Sequence, residues 1–364
     1  MERSIKIREK DQMKILSMLI FSDPRTQGGI QTFGRTLKKF YPDEVISLTV
    51  ANPFKKIYES NDLIEVGSNH FLFRAANKIF KNKLREYLIK KEVKKNNWDI
   101  IIFSFPYELE ILKDIKAKKI IVQHFTFSKY KNEFFKNKNI KDIFEELDYF
   151  VVLSVYDKER FKKELNIHEK KLKVIRHTCD IELLKSKKRK NKSLIMIARI
   201  DNSSKRFDLA IKAMKRLPDY TLDIYGDIYN QKDMEFLQEI IKKENIINVN
   251  FKGATSQIQE KLDRSGIFIM TSDQEGYGIV NIEAMRRGLP LILRNTFDSA
   301  RDIIPNNENG ILLGKEWNED KFIEAVRKIY DNYEYYSENS KILSKRYDKE
   351  IIKKEWDKLL MEND

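Results

Sequence analysis

The stretch IFIMTSDQEGYGIVNIEAM, residues 267–285, indicates the fold of this chain more clearly than any other part. Its first four residues, 267–270, are apolar and predict a short buried strand. Gly276 and Gly278 then predict a tight turn, and the sequence after them has a helical pattern that Gly288 and Pro290 can end. A strand, a glycine turn and a helix in this order are the building unit of a parallel sheet covered by helices.

The same alternation extends along the chain. Strands are predicted at 14–21, 45–50, 100–103, 119–122, 149–153, 172–175, 193–198, 221–225, 249–251, 267–270, 291–293 and 311–313, with helical stretches between them. This pattern predicts an α/β protein with two doubly wound parallel sheets. The basic run 185–192 is the predicted linker. The predicted domains are 1–184, 193–346 and a C-terminal helix, 347–364, that crosses back to the first domain.

Composition narrows the class of protein. The 364 residues suit two domains, and a hydrophobic share of 41% is enough for two cores. Cys179 is the single cysteine, so no internal disulfide is expected, and residues 1–12 lack the apolar core of a signal peptide. We therefore expect a cytoplasmic protein. The net charge of +14 suggests an anionic partner, although a lysine-biased proteome would explain it equally well.

The turn at residues 275–278 has the features of a ligand site. Glycines let the backbone approach a ligand closely, and the first N–H groups of the following helix can bind an anion. Glu275 precedes that helix and Glu283 lies within it. Two carboxylates at different depths can accept hydrogen bonds from the hydroxyls of two sugars. The alternative is an ordinary glycine turn followed by a helix with two solvated glutamates.

The string from Glu275 to Glu283 resembles the Glu-x7-Glu signature of the retaining family 4 glycosyltransferases, which have the two-domain GT-B fold. The resemblance extends over nearly the whole chain. Arg199 and Lys205 resemble the family's arginine and lysine pair, although Arg206 stands where a glycine is common. The resemblance implies that these two cations bind the donor diphosphate, that Glu283 binds the ribose and that Glu275 binds the donor sugar.

Further site residues follow from the same resemblance. Gly28 and Gly29 match a glycine loop after the first strand, His124 matches a histidine near the reaction centre, and Gly226 matches a strand end beside the base. The predicted catalytic residues are Glu275, His124, Arg199 and Lys205. The predicted donor-binding residues are Gly28, Gly29, Arg199, Lys205, Gly226, Gly276, Tyr277, Gly278, Ile279 and Glu283.

The predicted chemistry needs no metal or cofactor. The sequence has no Asp-x-Asp, and its four histidines and one cysteine offer no zinc spacing. The resemblance implies a retaining hexosyltransferase whose donor is a nucleotide-diphosphate-sugar, and we expect a UDP-sugar. The nucleotide base, the sugar and the linkage are not determined by these motifs.

The acceptor is predicted from charge. Residues 77–96 carry eight Lys or Arg against two Glu, in a pattern typical of a basic amphipathic helix on an anionic membrane. We expect a glycan or lipid-linked acceptor of cell-surface polysaccharide, capsule, lipopolysaccharide or glycolipid synthesis, reached from the inner membrane leaflet. The alternatives are a solvated helix, a non-catalytic GT-B subunit that binds glycan or protein, and a sugar epimerase. A nucleic-acid partner is not expected, because no such binding motif is present.

Overall fold

The computed structural model describes residues 13–26, 28–50, 62–67, 75, 78, 82–136, 142 and 144–362. Within these residues the chain forms two parallel β-sheets, one of seven strands and one of six, with helices between the strands. The predicted α/β architecture with two Rossmann-like, doubly wound sheets is therefore confirmed.

The strands lie close to the predicted positions. Their bounds are β1 Ile15–Met18, β2 Val45–Val50, β3 Leu63–Val66, β4 Ile100–Phe103, β5 Lys118–Val122, β6 Tyr149–Val152, β7 Leu172–Val174, β8 Ser193–Ile197, β9 Thr221–Tyr225, β10 Val249–Gly253, β11 Ile267–Met270, β12 Leu291–Arg294 and β13 Gly310–Leu313. Only β3 was not predicted. It lies at the edge of its sheet and is mostly half-exposed, so it lacks the continuous apolar run of a buried strand.

The helices are α1 Gly29–Phe40, α2 Lys83–Val93, α3 Pro106–Ile111, α4 Phe127–Lys129, α5 Val155–Leu165, α6 Asn202–Lys205, α7 Phe207–Ala213, α8 Gln231–Lys243, α9 Ile258–Arg264, α10 Ile279–Arg286, α11 Ser299–Ile303, α12 Glu319–Asp331, α13 Tyr333–Ser344 and α14 Lys349–Met361. A π-helical turn, Tyr130–Phe134, continues α4. No helix in the described part of the chain is both long and apolar enough to span a membrane.

The order of the strands determines where ligands can bind. The first sheet has the order β3-β2-β1-β4-β5-β6-β7 and the second β10-β9-β8-β11-β12-β13. In each sheet the direction of winding reverses beside the first strand, between β1 and β4 and between β8 and β11. Ligands of such sheets bind at the carboxyl ends of the strands at this reversal. The predicted residues Arg199 and Glu275 follow β8 and β11, respectively.

The central strands β8, β11 and β12 of the second sheet are buried on both faces. Leu194 and Met196 of β8 contact one apolar cluster, which includes Phe207 and Phe322. Ile195, between them, contacts the opposite cluster, in which helices α10 and α11 pack. Because successive side chains of a strand point to opposite faces, a strand covered on both sides is apolar throughout. This explains the uninterrupted apolar runs of the sequence.

The chain divides into two compact units. The first unit comprises Met1–His124, Tyr130–Val151 and Ile167–Lys173, and the second comprises Phe125–Lys129, Val152–Asn166 and Val174–Asp364. Helix α5 lies in the second unit, where Arg160 pairs with Asp298 at 3.0 Å beside α11. The prediction that 347–364 crosses back to the first domain stays a prediction.

The predicted long helix over 77–95 is interrupted. Asn82 has a left-handed backbone, with φ of 69°, and α2 begins after it at Lys83. Residues 76–77 and 79–81 lie outside the described residues. Ile89 and Val93 of α2 are fully buried, whereas Tyr87 is 61% exposed, so only part of its apolar side packs within the first unit. The predicted continuous helix is therefore interrupted at Asn82, and its contact with a membrane stays a prediction.

The predicted linker 185–192 is not simply a solvated tether. Lys188 is 5% exposed and its ammonium group donates to the carbonyl oxygens of Leu262 and Asp263, both at 2.6 Å. Burial lowers the pKa of Lys188 to about 8. The ammonium group thus binds the last carbonyl groups of α9, which have no partner within the helix.

Candidate active site

Lys205 and Glu275 form the centre of the site. Lys205 ends α6, which follows β8, and Glu275 lies in the loop after the neighbouring strand β11. The Lys205 Nζ and Glu275 Oε2 atoms are 2.6 Å apart, and each side chain is 17% exposed. Two predicted functional groups that are 70 positions apart in the sequence therefore contact each other at the carboxyl edge of the sheet.

The structure shows which of two adjacent cations approaches Glu275. Arg206 has a left-handed backbone, with φ of 52°, and its guanidinium group pairs with Asp208 and Asp273, each at 3.0 Å. Only Lys205 of the two pairs with Glu275. The left-handed conformation also gives a physical reason why glycine suits position 206, because a residue without Cβ adopts it without strain.

Gly278 allows the loop to fold against the start of α10. Its φ is 73°, and a Cβ atom here would lie 2.4 Å from Asn281 Nδ2 and 3.3 Å from Glu275 Cγ. Any side chain at this position would thus displace Asn281, which is fully buried, and crowd Glu275. Ile279 begins α10, whose first N–H groups have no partner within the helix.

Glu283 lies farther along α10 and is half-buried. Burial raises the pKa of its carboxyl group to about 7, and the negative charge of Asp180 adds to this effect. Asp180 in turn pairs with Lys349 at 2.8 Å. The two glutamates of the motif therefore have different surroundings, since Glu275 faces a cation and Glu283 faces another acid.

Arg199 is exposed, and its guanidinium carbon lies 4.3 Å from the ring centre of Tyr229. The loop after β9 carries Tyr229 and packs on the loop after β8, where Tyr229 N–H donates to Ile200 O at 3.1 Å. Gly226 makes this packing possible, because a Cβ atom there would lie 1.9 Å from Ala198 O. The structure thus locates Gly226 beside the arginine, as a spacer between two loops.

The side chain of Tyr277 does not line an open site. It is 3% exposed and its ring lies 5.6 Å from His177 and 6.4 Å from Tyr347. Burial also lowers the pKa of His177 to about 4, so that this ring is neutral at physiological pH. Tyr277 packs in the core of the second unit, and only its backbone is available for the predicted donor contact.

The remaining predicted residues lie in the first unit. Gly28 precedes α1 with φ of 147°, and its carbonyl oxygen accepts from the N–H and the hydroxyl of Thr32, both at 2.9 Å. A Cβ atom at Gly29 would meet nothing within 4 Å. The ring of His124, after β5, lies 5.0 Å from Phe33 of α1. The glycine loop and the histidine are thus linked through α1. Gln27 lies outside the described residues.

Other polar residues of the site were not predicted. Asp273 and Arg294 join the Arg206 pair. Separately, within the first unit, Glu108 holds the ends of β1 and β4 together. Nothing in the sequence pattern singles out Asp273 and Arg294, because their partners are remote in the chain. Glu108 has one remote partner, Ile20, and two local ones, Ser104 and Phe105. In the described ranges no group of three His, Cys, Asp or Glu could hold a metal ion. Metal independence stays a prediction.

The site thus brings a cation, a carboxylate and a helix start together at the switch point of a parallel sheet. Residues 181–346 match the family described as glycosyl transferases group 1. Most of the second unit is therefore similar to a glycosyl transferases group 1 domain, and the two-sheet architecture is GT-B.

Several similar proteins are named as glycosyltransferases. The chain is 25% identical over 342 residues to an uncharacterized glycosyltransferase of Haemophilus influenzae, covering 87% of this chain and 95% of that protein. It is 24% identical to a poly(glycerol-phosphate) alpha-glucosyltransferase of Bacillus subtilis, covering 96% of this chain and 55% of that protein. Among solved structures, Anabaena Alr3699/HepE in complex with UDP and glucose has a TM-score of 0.79 at 18% identity and covers 96% of this chain and 100% of that chain.

Proposed function

We propose that the protein is a retaining, metal-independent hexosyltransferase that uses a UDP-sugar. The observation that carries the proposal is the contact between Lys205 and Glu275 beside the start of α10. A cation and helix N–H groups suit a diphosphate, and a carboxylate suits sugar hydroxyls. The complex of Anabaena HepE with UDP and glucose supports the choice of donor.

The proposed reaction begins with the bond between the sugar C1 and the diphosphate oxygen. As this bond breaks, negative charge develops on the leaving UDP, and Lys205 and Arg199 stabilise it. The acceptor hydroxyl attacks C1 from the face that the diphosphate leaves, and its proton passes to the leaving phosphate oxygen. The products are UDP and a glycoside with the configuration of the donor. Glu275 holds the sugar and Glu283 the ribose, so no protein base is needed.

The acceptor is proposed to be a glycan or a lipid-linked glycan of the cell surface. The relative from Bacillus subtilis is named for transfer of glucose to a poly(glycerol-phosphate), which supports a polyanionic acceptor. The net charge of +14 agrees with an anionic partner. The predicted roles of His124, Gly28 and Gly29 near the donor belong to this proposal.

The test of function is turnover by the purified protein. Each common UDP-sugar is supplied with and without EDTA, release of UDP is measured, and the anomeric configuration of the product is determined by NMR. UDP release with EDTA present and an unchanged anomeric configuration is the expected result. An inverted product would contradict the retaining mechanism. Binding of glycans without turnover of any nucleotide sugar would instead favour the non-catalytic GT-B subunit.

Peripheral attachment to the inner membrane leaflet is the second part of the proposal. Since Ile89 and Val93 of α2 are buried, attachment would depend mainly on charge, through the exposed lysines Lys83, Lys91, Lys94 and Lys95. Sedimentation with vesicles containing phosphatidylglycerol, but not with neutral vesicles, is expected at moderate salt. Changing those four lysines to glutamine should abolish the sedimentation. The matched control changes four exposed lysines of α8 and α12 to glutamine, namely Lys232, Lys242, Lys243 and Lys328, and should sediment as the wild type does. If the wild-type protein does not sediment with the anionic vesicles, the proposed attachment is wrong.

A further inference from the structure

The loop that carries Glu275 is fastened to the segment that carries Lys205 by contacts other than their ion pair. Thr271 is 1% exposed and its hydroxyl lies 3.0 Å from Lys205 O and 2.9 Å from Arg206 O. Asp273 N–H donates to Ser204 O at 2.8 Å. Residues 271–273 are therefore hydrogen-bonded to the backbone of residues 204–206 at three points.

The carboxylate of Asp273 lies between two guanidinium groups. Its Oδ2 is 3.0 Å from Arg206 Nη1, and its Oδ1 is 2.5 Å from Arg294 Nη1. Arg294 ends β12, is 7% exposed, and also donates to Thr271 O at 2.8 Å and Lys315 O at 2.7 Å. Burial opposes ionisation of Asp273, yet the two arginines hold the pKa of its carboxyl group below the ordinary value. Asp273 thus ties the end of α6 to the ends of β11 and β12.

Arg206 occupies a position that does not suit an arginine. Its φ of 52° is left-handed, a conformation that costs free energy for any residue with a Cβ atom. Glycine would remove this strain. In the folded protein the Arg206 guanidinium group contacts Asp208 and Asp273. Arg206 directly follows Lys205, and Asp273 is two residues before Glu275, so their ion pair joins the two segments next to the site.

We propose that Arg206, Asp273 and Arg294 form a positioning triad that holds Lys205 and Glu275 at the separation a sugar diphosphate requires. The inference rests on the proposed function. The members of the triad contact the donor through no atom of their own; they act through Lys205 and Glu275. Transfer reactions lose rate steeply when a contacting group shifts by about 1 Å. Ion pairs as exposed as Arg206 and Asp273 contribute little to stability. Loss of the triad is therefore expected to weaken donor use more than folding.

The Arg206→Gly variant tests this inference, because it removes the guanidinium group and relieves the backbone strain together. UDP affinity is measured by calorimetry, and KM and kcat by UDP release. We expect UDP binding about tenfold weaker and KM for the donor raised, with a melting temperature at or above that of the wild type. Asn245→Gly is the matched control, since Asn245 is exposed and has a similar φ of 53°. It precedes β10 and therefore lies at the amino ends of the strands, away from the site at their carboxyl ends. It should bind UDP as the wild type does.

A double-mutant cycle distinguishes positioning from direct contact. If Arg206 acts through Lys205, adding Arg206→Gly to Lys205→Ala causes little further loss of UDP affinity. A full additional tenfold loss would mean that Arg206 itself binds the diphosphate, and it would overturn the inference. Unchanged UDP binding in Arg206→Gly would overturn it as well.

Asp273→Asn provides a second, independent measurement. It keeps the shape of the side chain and removes the charge that both arginines face, so the same rise in KM is expected. Wild-type affinity in Asp273→Asn would contradict the triad even if Arg206→Gly did not fold. If the wild-type protein binds no nucleoside diphosphate, the proposed function itself is wrong. If the wild type binds UDP and the variants bind it equally well, only the triad is wrong.

Discussion

Lys205 Nζ lies 2.6 Å from Glu275 Oε2, so the cation proposed for the diphosphate and the carboxylate proposed for the sugar neutralise each other. A donor must compete with this ion pair for both groups. When the nucleotide sugar binds, its phosphate replaces Glu275 as the negative partner of Lys205, and its sugar hydroxyls donate hydrogen bonds to Glu275. The pair keeps two charged side chains, each 17% exposed, in the positions in which a donor would meet them.

Lys205→Ala and Glu275→Ala are each expected to lower kcat/KM for sugar transfer by at least about tenfold, or about 1.4 kcal/mol of transition-state stabilisation. The measurement is UDP release at several donor concentrations. Lys215→Ala is the matched control, because Lys215 also pairs with a glutamate, Glu244 at 2.9 Å, but on an exposed surface. Activity close to wild type in both site variants would refute the assignment of the site.

The raised pKa of Glu283 predicts a stability that falls as pH rises. The folded state favours the protonated acid, so wild-type stability should decline between about pH 4.5 and pH 7, where the carboxyl group ionises in place. Glu283→Gln removes this cost. The free energy of unfolding of this variant, relative to wild type, should therefore increase with pH. The total increase should be about 1.4 kcal/mol for each unit by which folding raises the pKa of Glu283. Urea unfolding at pH 5 and pH 8.5 measures the change.

The control for Glu283 is Glu235→Gln, which changes an exposed carboxyl group of α8. Its stability relative to wild type should vary little between the two pH values. A gain for Glu283→Gln that is equal at both pH values would show that its carboxyl group ionises normally.

Gly226→Ala is expected to disrupt the site by a clash between two loops. The added Cβ atom would lie 1.9 Å from Ala198 O, a backbone atom that cannot move without shifting Arg199. Gly253→Ala is the matched control, because φ there is 71° but nothing lies within 4 Å of the added atom. The control should cost roughly 1 to 2 kcal/mol from its backbone conformation alone.

Unfolding free energies and UDP affinity distinguish the two glycine variants. We expect Gly226→Ala to be the less stable and to bind UDP more weakly, while Gly253→Ala retains wild-type affinity. Equal losses of stability and equal UDP affinities would show that the two loops adjust freely.

Glu108 is expected to be a structural carboxylate of the first unit. Its oxygens accept from the backbone N–H groups of Ile20, Ser104 and Phe105 at 2.8, 2.7 and 3.0 Å, and its side chain is fully buried. Glu108→Ala would leave three donors unpaired, each costing about 1 to 3 kcal/mol. Urea unfolding should show a loss of several kcal/mol. Glu110→Ala, on the same helix but half-exposed, should change stability by less than about 1 kcal/mol.

Much of the fold could be predicted because it depends on local pattern. Strands covered on both faces are apolar throughout, and the helices between them have their own period, so nearly every strand was located within a few residues. Strand β3 was missed because its half-exposed edge position leaves no such pattern. The break at Asn82 was missed for a different reason, since one left-handed residue does not alter the helical period around it.

By itself, the sequence determined the two α/β halves. It also located four site residues after strands or in the following helix: Arg199, Lys205, Glu275 and Glu283. Both were possible because short-range periodicity and glycine turns are properties of neighbouring residues. Only the tertiary structure decided that Lys205, and not Arg206, meets Glu275, and that Tyr277 is buried in the core. The physical reason is that these outcomes depend on contacts between segments far apart in the chain. Adjacent residues with the same charge are alike in sequence, and they differ only once the left-handed backbone at Arg206 directs their side chains to different partners.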